Sequence, residues 1–221
     1  MPQSPHSAST LSIPPGSTVL FQGDSITDAG RRTGLGDGLG DGYAALAARL
    51  LTDRHPGSGL VFLNRGVGGD RVADLRARWT DDAVALKPAL VSVLVGVNDT
   101  WRRYDSGLTT DIAAYEADYR HLLTRTADET GARLLLVEPF LVPVTPEQWT
   151  WREDLDPRIQ AVRRLAEEFG AGLLAADGLL NQAARTAGGA ARVAADGVHP
   201  TPYGHEVLAH AWARLVTVGG V

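Results

Sequence analysis

The sequence predicts an α/β fold built on a five-stranded, doubly wound parallel sheet. Three observations carry that expectation. Short apolar runs alternate with segments whose apolar residues recur at helical spacing. The runs are continuously apolar, as strands covered on both faces are. A chain of 221 residues is long enough for one such domain with a sizeable core. Alternating strands and helices imply right-handed crossovers, and the expected strand order is 2-1-3-4-5.

Residues 1–15 are rich in Ser and Pro and are read as a flexible arm. Residues 16–221 are read as a single domain without internal repeats. The first strand is Thr18-Val19-Leu20-Phe21, which stops at Gly23. Residues 30–42, with Arg31, Arg32 and Asp37, are too glycine-rich for a helix interior and are expected to form a long loop. Tyr43, Leu46, Ala47 and Leu50 then recur at helical spacing behind a cap at Asp41.

Residues 60–63 form the second strand and lead into Asn64-Arg65-Gly66-Val67-Gly68-Gly69-Asp70. Val72, Leu75, Trp79 and Leu86 mark a helix that Pro88 stops. Residues 90–95 are the third, central strand, followed by an expected loop over residues 98–105. Ile112, Tyr115, Tyr119, Leu122 and Thr126 define a helix ending at Gly131. The fourth strand covers residues 133–137. After it, a loop with Trp149 and Trp151 is expected to run to a cap at Asp156, with Pro157 at the first helical position. The fifth strand is residues 172–175, a helix covers residues 179–187, and Thr201-Pro202 opens the last helix.

Composition excludes several functions. The net charge of -5 does not suit a nucleic-acid partner, which calls for a basic patch. With no cysteine, disulfides, thiolate nucleophiles and zinc–thiolate sites are impossible. The longest apolar run, residues 89–95, is far short of a membrane span, so no membrane association is expected. Residues 1–16 hold neither Lys nor Arg nor an apolar core of the signal-peptide kind, so a cytoplasmic location is expected. His205 and His210 are five apart, about 140° around a helix, and cannot share a metal as an i, i+4 pair does. No metal or cofactor is expected.

The unusual polar residues gather at strand ends, where open α/β sheets bind ligands. Ser25 follows the first strand, Gly69 the second and Asn98 the third, while Asp196 and His199 precede the last helix. A serine hydroxyl is a weak nucleophile unless a base takes its proton. His199 suits that role, and Asp196, three residues earlier, can hold the imidazole in one tautomer. The backbone N–H groups of Ser25 and Gly69 and the Asn98 amide can supply an oxyanion hole. The α/β-hydrolase elbow Gly-x-Ser-x-Gly is absent, because Thr27 stands at its second glycine.

The blocks Gly-Asp-Ser-Ile-Thr, Asn-Arg-Gly-Val-Gly-Gly-Asp, Gly-Val-Asn-Asp and Asp-Gly-Val-His-Pro resemble the SGNH/GDSL hydrolase superfamily. The four functional residues of that name match Ser25, Gly69, Asn98 and His199, with Ile26 in place of the family's leucine. Gly68 adjoins Gly69, and the spacing Asn-x-x-x-x-Gly-Asp favours Gly69. The resemblance implies a three-layer α/β/α sandwich and metal-free esterase activity.

Within that superfamily the chain resembles bacterial intracellular acetylxylan esterases, through Gly-Asp-Ser-Ile-Thr-Asp-Ala-Gly-Arg and Asn-Asp-x-Trp-Arg-x-Tyr-Asp. The implied reaction removes O-acetyl groups from acetylated sugars, foremost xylo-oligosaccharides, and the implied assembly is a homo-oligomer. Asp24, Trp101, Arg102, Trp149 and Trp151 are the expected substrate-binding residues, the tryptophans serving either the site or a subunit interface. A lysophospholipase or thioesterase, and a non-catalytic carbohydrate-binding protein, stay open as alternatives. Asp28, Arg31, Asp70 and Glu138 have no assigned place.

Overall fold

The computed structural model describes residues 10–33 and 38–219. Most of the expected arm and the centre of the glycine-rich stretch, including Asp37, lie outside the described residues. In chain order the elements are β1 (Leu11–Ile13), β2 (Thr18–Gly23), α1 (Ser25–Asp28), α2 (Tyr43–Arg54), β3 (Val61–Asn64) and α3 (Val72–Asp82). There follow β4 (Leu90–Leu94), α4 (Val97–Asp105), α5 (Ile112–Thr130), β5 (Arg133–Val137), α6 (Pro146–Thr150) and α7 (Arg152–Glu168). The chain ends with β6 (Gly172–Leu174), α8 (Ala176–Thr186), α9 (Pro202–Leu215) and β7 (Val216–Val218).

Five parallel strands form the main sheet in the order β3-β2-β4-β5-β6, the order expected from the sequence. Period-2 alternation divides each strand between two cores. Val19, Phe21, Leu90, Leu94, Leu135 and Val137 pack on one face with residues of α2, α8 and α9. Leu20, Val91, Val93, Leu134 and Leu136 pack on the other with residues of α3 and α5 and part of α7. The result is the three-layer sandwich. Two buried tryptophans have their N–H groups satisfied: Trp79 donates to Thr126 Oγ1 at 3.1 Å, joining α3 to α5, and Trp212 to Ser92 Oγ at 2.9 Å, joining α9 to the sheet. Truncating a wholly buried leucine such as Leu136 to alanine costs about 2–5 kcal/mol in such a core.

Four expectations about the elements need correction, the first being the cap at Asp41: Gly42 stands at the N-cap of α2, with no side-chain cap bond. Residues 11–13 are not part of an arm: β1 pairs in parallel with β7, which the sequence reading missed, because this buries Leu11 and Ile13. Residues 98–105 are helical rather than a loop. Gly96, at φ +134, turns the chain so sharply that α4 begins at once, and Asp99 adds an acidic side chain to its first turn. Finally, α7 begins at Arg152, not after Asp156, and Pro157 lies inside it. Its first turn carries Glu153 and Asp154, which suit a helix N-terminus. Arg152 is anchored by two bonds to Asp177 at 2.7 and 2.8 Å.

Candidate active site

The sheet carries Ser25 to its rim. Asp24 caps α1, accepting from Ile26 N–H at 3.0 Å, and this turns Ser25 into the first residue of the helix. Its N–H points out of the first turn and has no hydrogen-bond partner among the described residues. Ser25 Oγ lies 2.8 Å from His199 Nε2, and His199 Nδ1 lies 2.7 Å from Asp196 Oδ2. Ser25 and His199 are separated by 174 positions and meet because the loop before α9 folds over the strand ends.

Asp196 is held by its own turn. Its Oδ1 accepts from Val198 N–H at 2.9 Å and His199 N–H at 2.7 Å, leaving Oδ2 for the ring. Burial pushes the Asp196 carboxyl up, but the hydrogen bonds from the His199 ring, His199 N–H and Val198 N–H outweigh it and keep the group below its ordinary range. An ionised Asp196 fixes the proton on Nδ1 and presents the Nε2 lone pair to Ser25.

The loop after β3 folds against α1. A Cβ on Gly66 would clash with Asp28 N, and one on Gly68 would lie 3.8 Å from Ser25 Cβ. Asn64 bridges the two segments, accepting from Gly66 N–H at 2.8 Å and donating to Thr27 O at 2.6 Å. Asp28 accepts from Gly68 N–H at 3.2 Å, and Arg31 donates to Gly66 O at 2.5 Å. The Gly69 N–H has no partner among the described residues. From α4, Asn98 Nδ2 donates to Asp70 O at 3.1 Å. That bond uses one of the two amide protons. Asp99 Oδ2 accepts from Val72 N–H at 3.1 Å, binding the start of α3 to α4. The unpartnered donors of Ser25, Gly69 and Asn98 thus belong to three braced segments.

The five expected substrate-binding residues fare differently. Trp101 is half-buried, with its ring 5.9 Å from that of His199. Arg102 is paired with Asp105, and its Nη2 lies 3.7 Å from where a Gly69 Cβ would be. Asp24 is wholly buried, so it cannot touch a ligand; burial pushes its carboxyl up to about 7. Trp151 is also buried, stacked on Tyr104 at 5.2 Å and 5.8 Å from Trp101. It therefore backs Trp101 instead of offering a free face. Trp149 is 63% exposed and lines a surface cavity of about 570 Å³ with Val142, Pro143, Arg152, Asp177 and Asn181, a wall without Ser25 or His199.

Sequence reasoning missed Arg78. From α3 it donates to Asp70 Oδ2 and Arg65 O, both at 2.8 Å, and to Gly23 O at 3.3 Å, so it ties together the ends of β2 and β3. Only its place beside the buried Leu75–Trp79 stripe hinted that it faces inward. Glu138, also at a strand end, is buried and bound to Arg163 at 2.6 Å.

A serine, an imidazole and a carboxylate in relay on this fold define a hydrolase of the serine type. The sequence profile of the GDSL-like Lipase/Acylhydrolase family matches residues 21–207. The acetylxylan esterase of Geobacillus stearothermophilus is 36% identical over 214 residues, which cover 93% of this chain and 96% of that one. A structure of a Geobacillus acetyl-xylooligosaccharide esterase superposes with a TM-score of 0.85 at 35% identity, covering 93% and 96% of the two chains. Solved structures of that enzyme include catalytic mutants in which a serine or a histidine is replaced by alanine. LAE5, an alpha/beta hydrolase enzyme from the metagenome of Lake Arreo, Spain, gives a TM-score of 0.83 at 33% identity, covering 92% and 96%. The chain belongs to the GDSL-like lipase/acylhydrolase family and is a carboxylic ester hydrolase. No helix among the described residues is long and apolar enough to cross a membrane.

Proposed function

We propose that this protein is a serine carbohydrate esterase that removes O-acetyl groups from acetylated sugars, foremost xylo-oligosaccharides. The observation that carries the reading is the relay from Ser25 through His199 to Asp196, with contacts of 2.8 and 2.7 Å. Ser25 Oγ attacks the acetyl carbonyl while His199 Nε2 takes its proton. The negative charge that develops on the carbonyl oxygen is held by Ser25 N–H, Gly69 N–H and the Asn98 amide. Collapse breaks the bond to the sugar oxygen, which leaves with the proton from His199. Water then attacks the acetyl-enzyme, again deprotonated by His199, and acetate departs as Ser25 regains its proton.

The identity to acetylxylan esterases supports the acetyl group and the sugar. Trp101 adds to that support, because an indole beside the imidazole suits the apolar face of a pyranose ring. The family resemblance extends the proposal to a cytoplasmic, self-associating enzyme, with the exposed Trp149 as a candidate contact. Acetate release from acetylated xylo-oligosaccharides, run beside an acyl-length series of p-nitrophenyl esters, tests the reading. We expect acetyl to be preferred. Preference for octanoyl would point to a lysophospholipase or thioesterase instead.

A further inference from the structure

The loop that carries Asp196 and His199 is held from one side by a residue with no part in the chemistry. Gln148, on α6, is almost wholly buried at 8% exposure, and both ends of its amide are used. Nε2 donates to Asp196 O at 2.6 Å, and Oε1 accepts from Val144 N–H at 2.8 Å. The two partners fix the amide's orientation, since a carbonyl needs a donor and an N–H an acceptor. The amide also lies flat on Gly197, where a Cβ would come within 2.5 Å of Oε1. Gly197 sits at φ +86, so the turn needs glycine for its backbone as well as for this contact. On the next peptide, Gly197 O accepts from Val142 N–H at 2.8 Å. Residues 142–148 therefore grip the Asp196-Gly197-Val198 turn through two successive carbonyls.

We propose that Gln148 is a positioning residue of the esterase reaction: its amide sets the Asp196 peptide and so places the Asp196 carboxylate against His199. The proposal rests on the reading of Ser25, Asp196 and His199 as the triad. The distance from Asp196 Oδ2 to the ring is set by this turn, which is also tied by Gly197 N–H to Ala194 O at 3.1 Å and by the buried Val198 side chain. Misplacing a catalytic group by about 1 Å can cost 10²-fold in rate.

Two variants of the full-length protein test this. Gln148→Met keeps the length and packing of the side chain and loses both hydrogen bonds. Gln148→Glu, when ionised, still accepts from Val144 but cannot donate to Asp196. Both should lower kcat by about 10–100-fold with KM within about threefold of wild type. Both should also weaken or move the downfield proton resonance of His199 Nδ1–H, which reports the bond to Asp196 and which a purely structural role would leave in place. If Gln148→Met does not fold, Gln148→Glu decides alone. Wild-type kcat with an unmoved resonance, or a lower kcat with the resonance intact, would overturn the proposal. A wild-type protein that neither releases acetate nor is labelled at Ser25 by an organophosphate would defeat the triad reading itself.

Discussion

Replacing Asn98 with alanine separates oxyanion stabilisation from everything else in the site. Asn98 is 3% exposed, and its amide gives one proton to Asp70 O at 3.1 Å while the other has no partner among the described residues. The variant therefore loses one of the three proposed oxyanion donors and leaves one carbonyl without its partner. Loss of a single preorganised donor costs about 10²–10³ in kcat, or roughly 2.7–4 kcal/mol of barrier. The orphaned Asp70 carbonyl costs about 1 kcal/mol of stability, a separate and smaller effect. Because the donor acts on charge that appears only in the transition state, KM should move by less than about threefold. Initial rates of acetate release over a range of substrate concentrations give kcat and KM, and urea unfolding gives the stability change. A folded Asn98→Ala variant with kcat within about fivefold of wild type, or with the loss confined to KM, would refute the reasoning.

Trp101→Ala should lower kcat/KM on acetylated xylo-oligosaccharides by about tenfold, the order of one aromatic contact, while p-nitrophenyl acetate is hydrolysed nearly as before. Equal losses on both substrates would remove the sugar-platform role. Burial pushes the Asp24 carboxyl up to about 7, so between pH 4 and 7 the folded protein keeps a proton that the unfolded chain releases, and stability from this group falls as pH rises. Asp24→Asn keeps the helix cap and should melt above wild type at pH 8, with the gap closing toward pH 4. His205 behaves oppositely: burial holds it down to about 4, and its neutral Nδ1 accepts from Tyr43 N–H. As pH falls from 7 to 5, wild type should lose about 2 kcal/mol relative to His205→Gln, read from melts of both proteins. Parallel stability–pH curves for either variant and wild type would contradict these assignments.

The sheet was legible because its strands are continuous apolar runs. Residues 90–95 read as a central strand for the same reason that β4 is covered on both faces. The meeting of Ser25, His199 and Asp196, the residues proposed as a triad, was legible because each follows or precedes a recognisable element, so topology brings them to one rim. What escaped depends on contacts that leave no periodic trace. Leu11 and Ile13 form a strand only because Val216–Val218 lies beside them. The helix α4 was hidden by its polar start, since Asn98, Asp99 and Thr100 have weak helix propensity and are buried for other reasons. Asp24 looked like a ligand contact because it adjoins the nucleophile, yet a cap at a strand-to-helix turn points its side chain inward. Trp149 and Trp151, two residues apart, part company because the boundary between α6 and α7 sends one to solvent and the other under Trp101. Gln148, immediately before Trp149, belongs to no motif, and only the fold reveals what it grips.

The most direct measurement is the mass of the Ser25 peptide after acid quenching during turnover of an acetylated xylo-oligosaccharide. We expect an acetyl group on Ser25 in the wild type, none in Ser25→Ala, and almost no acetate release by that folded variant. An acetyl group on another residue, or turnover by Ser25→Ala near the wild-type rate, would contradict this expectation.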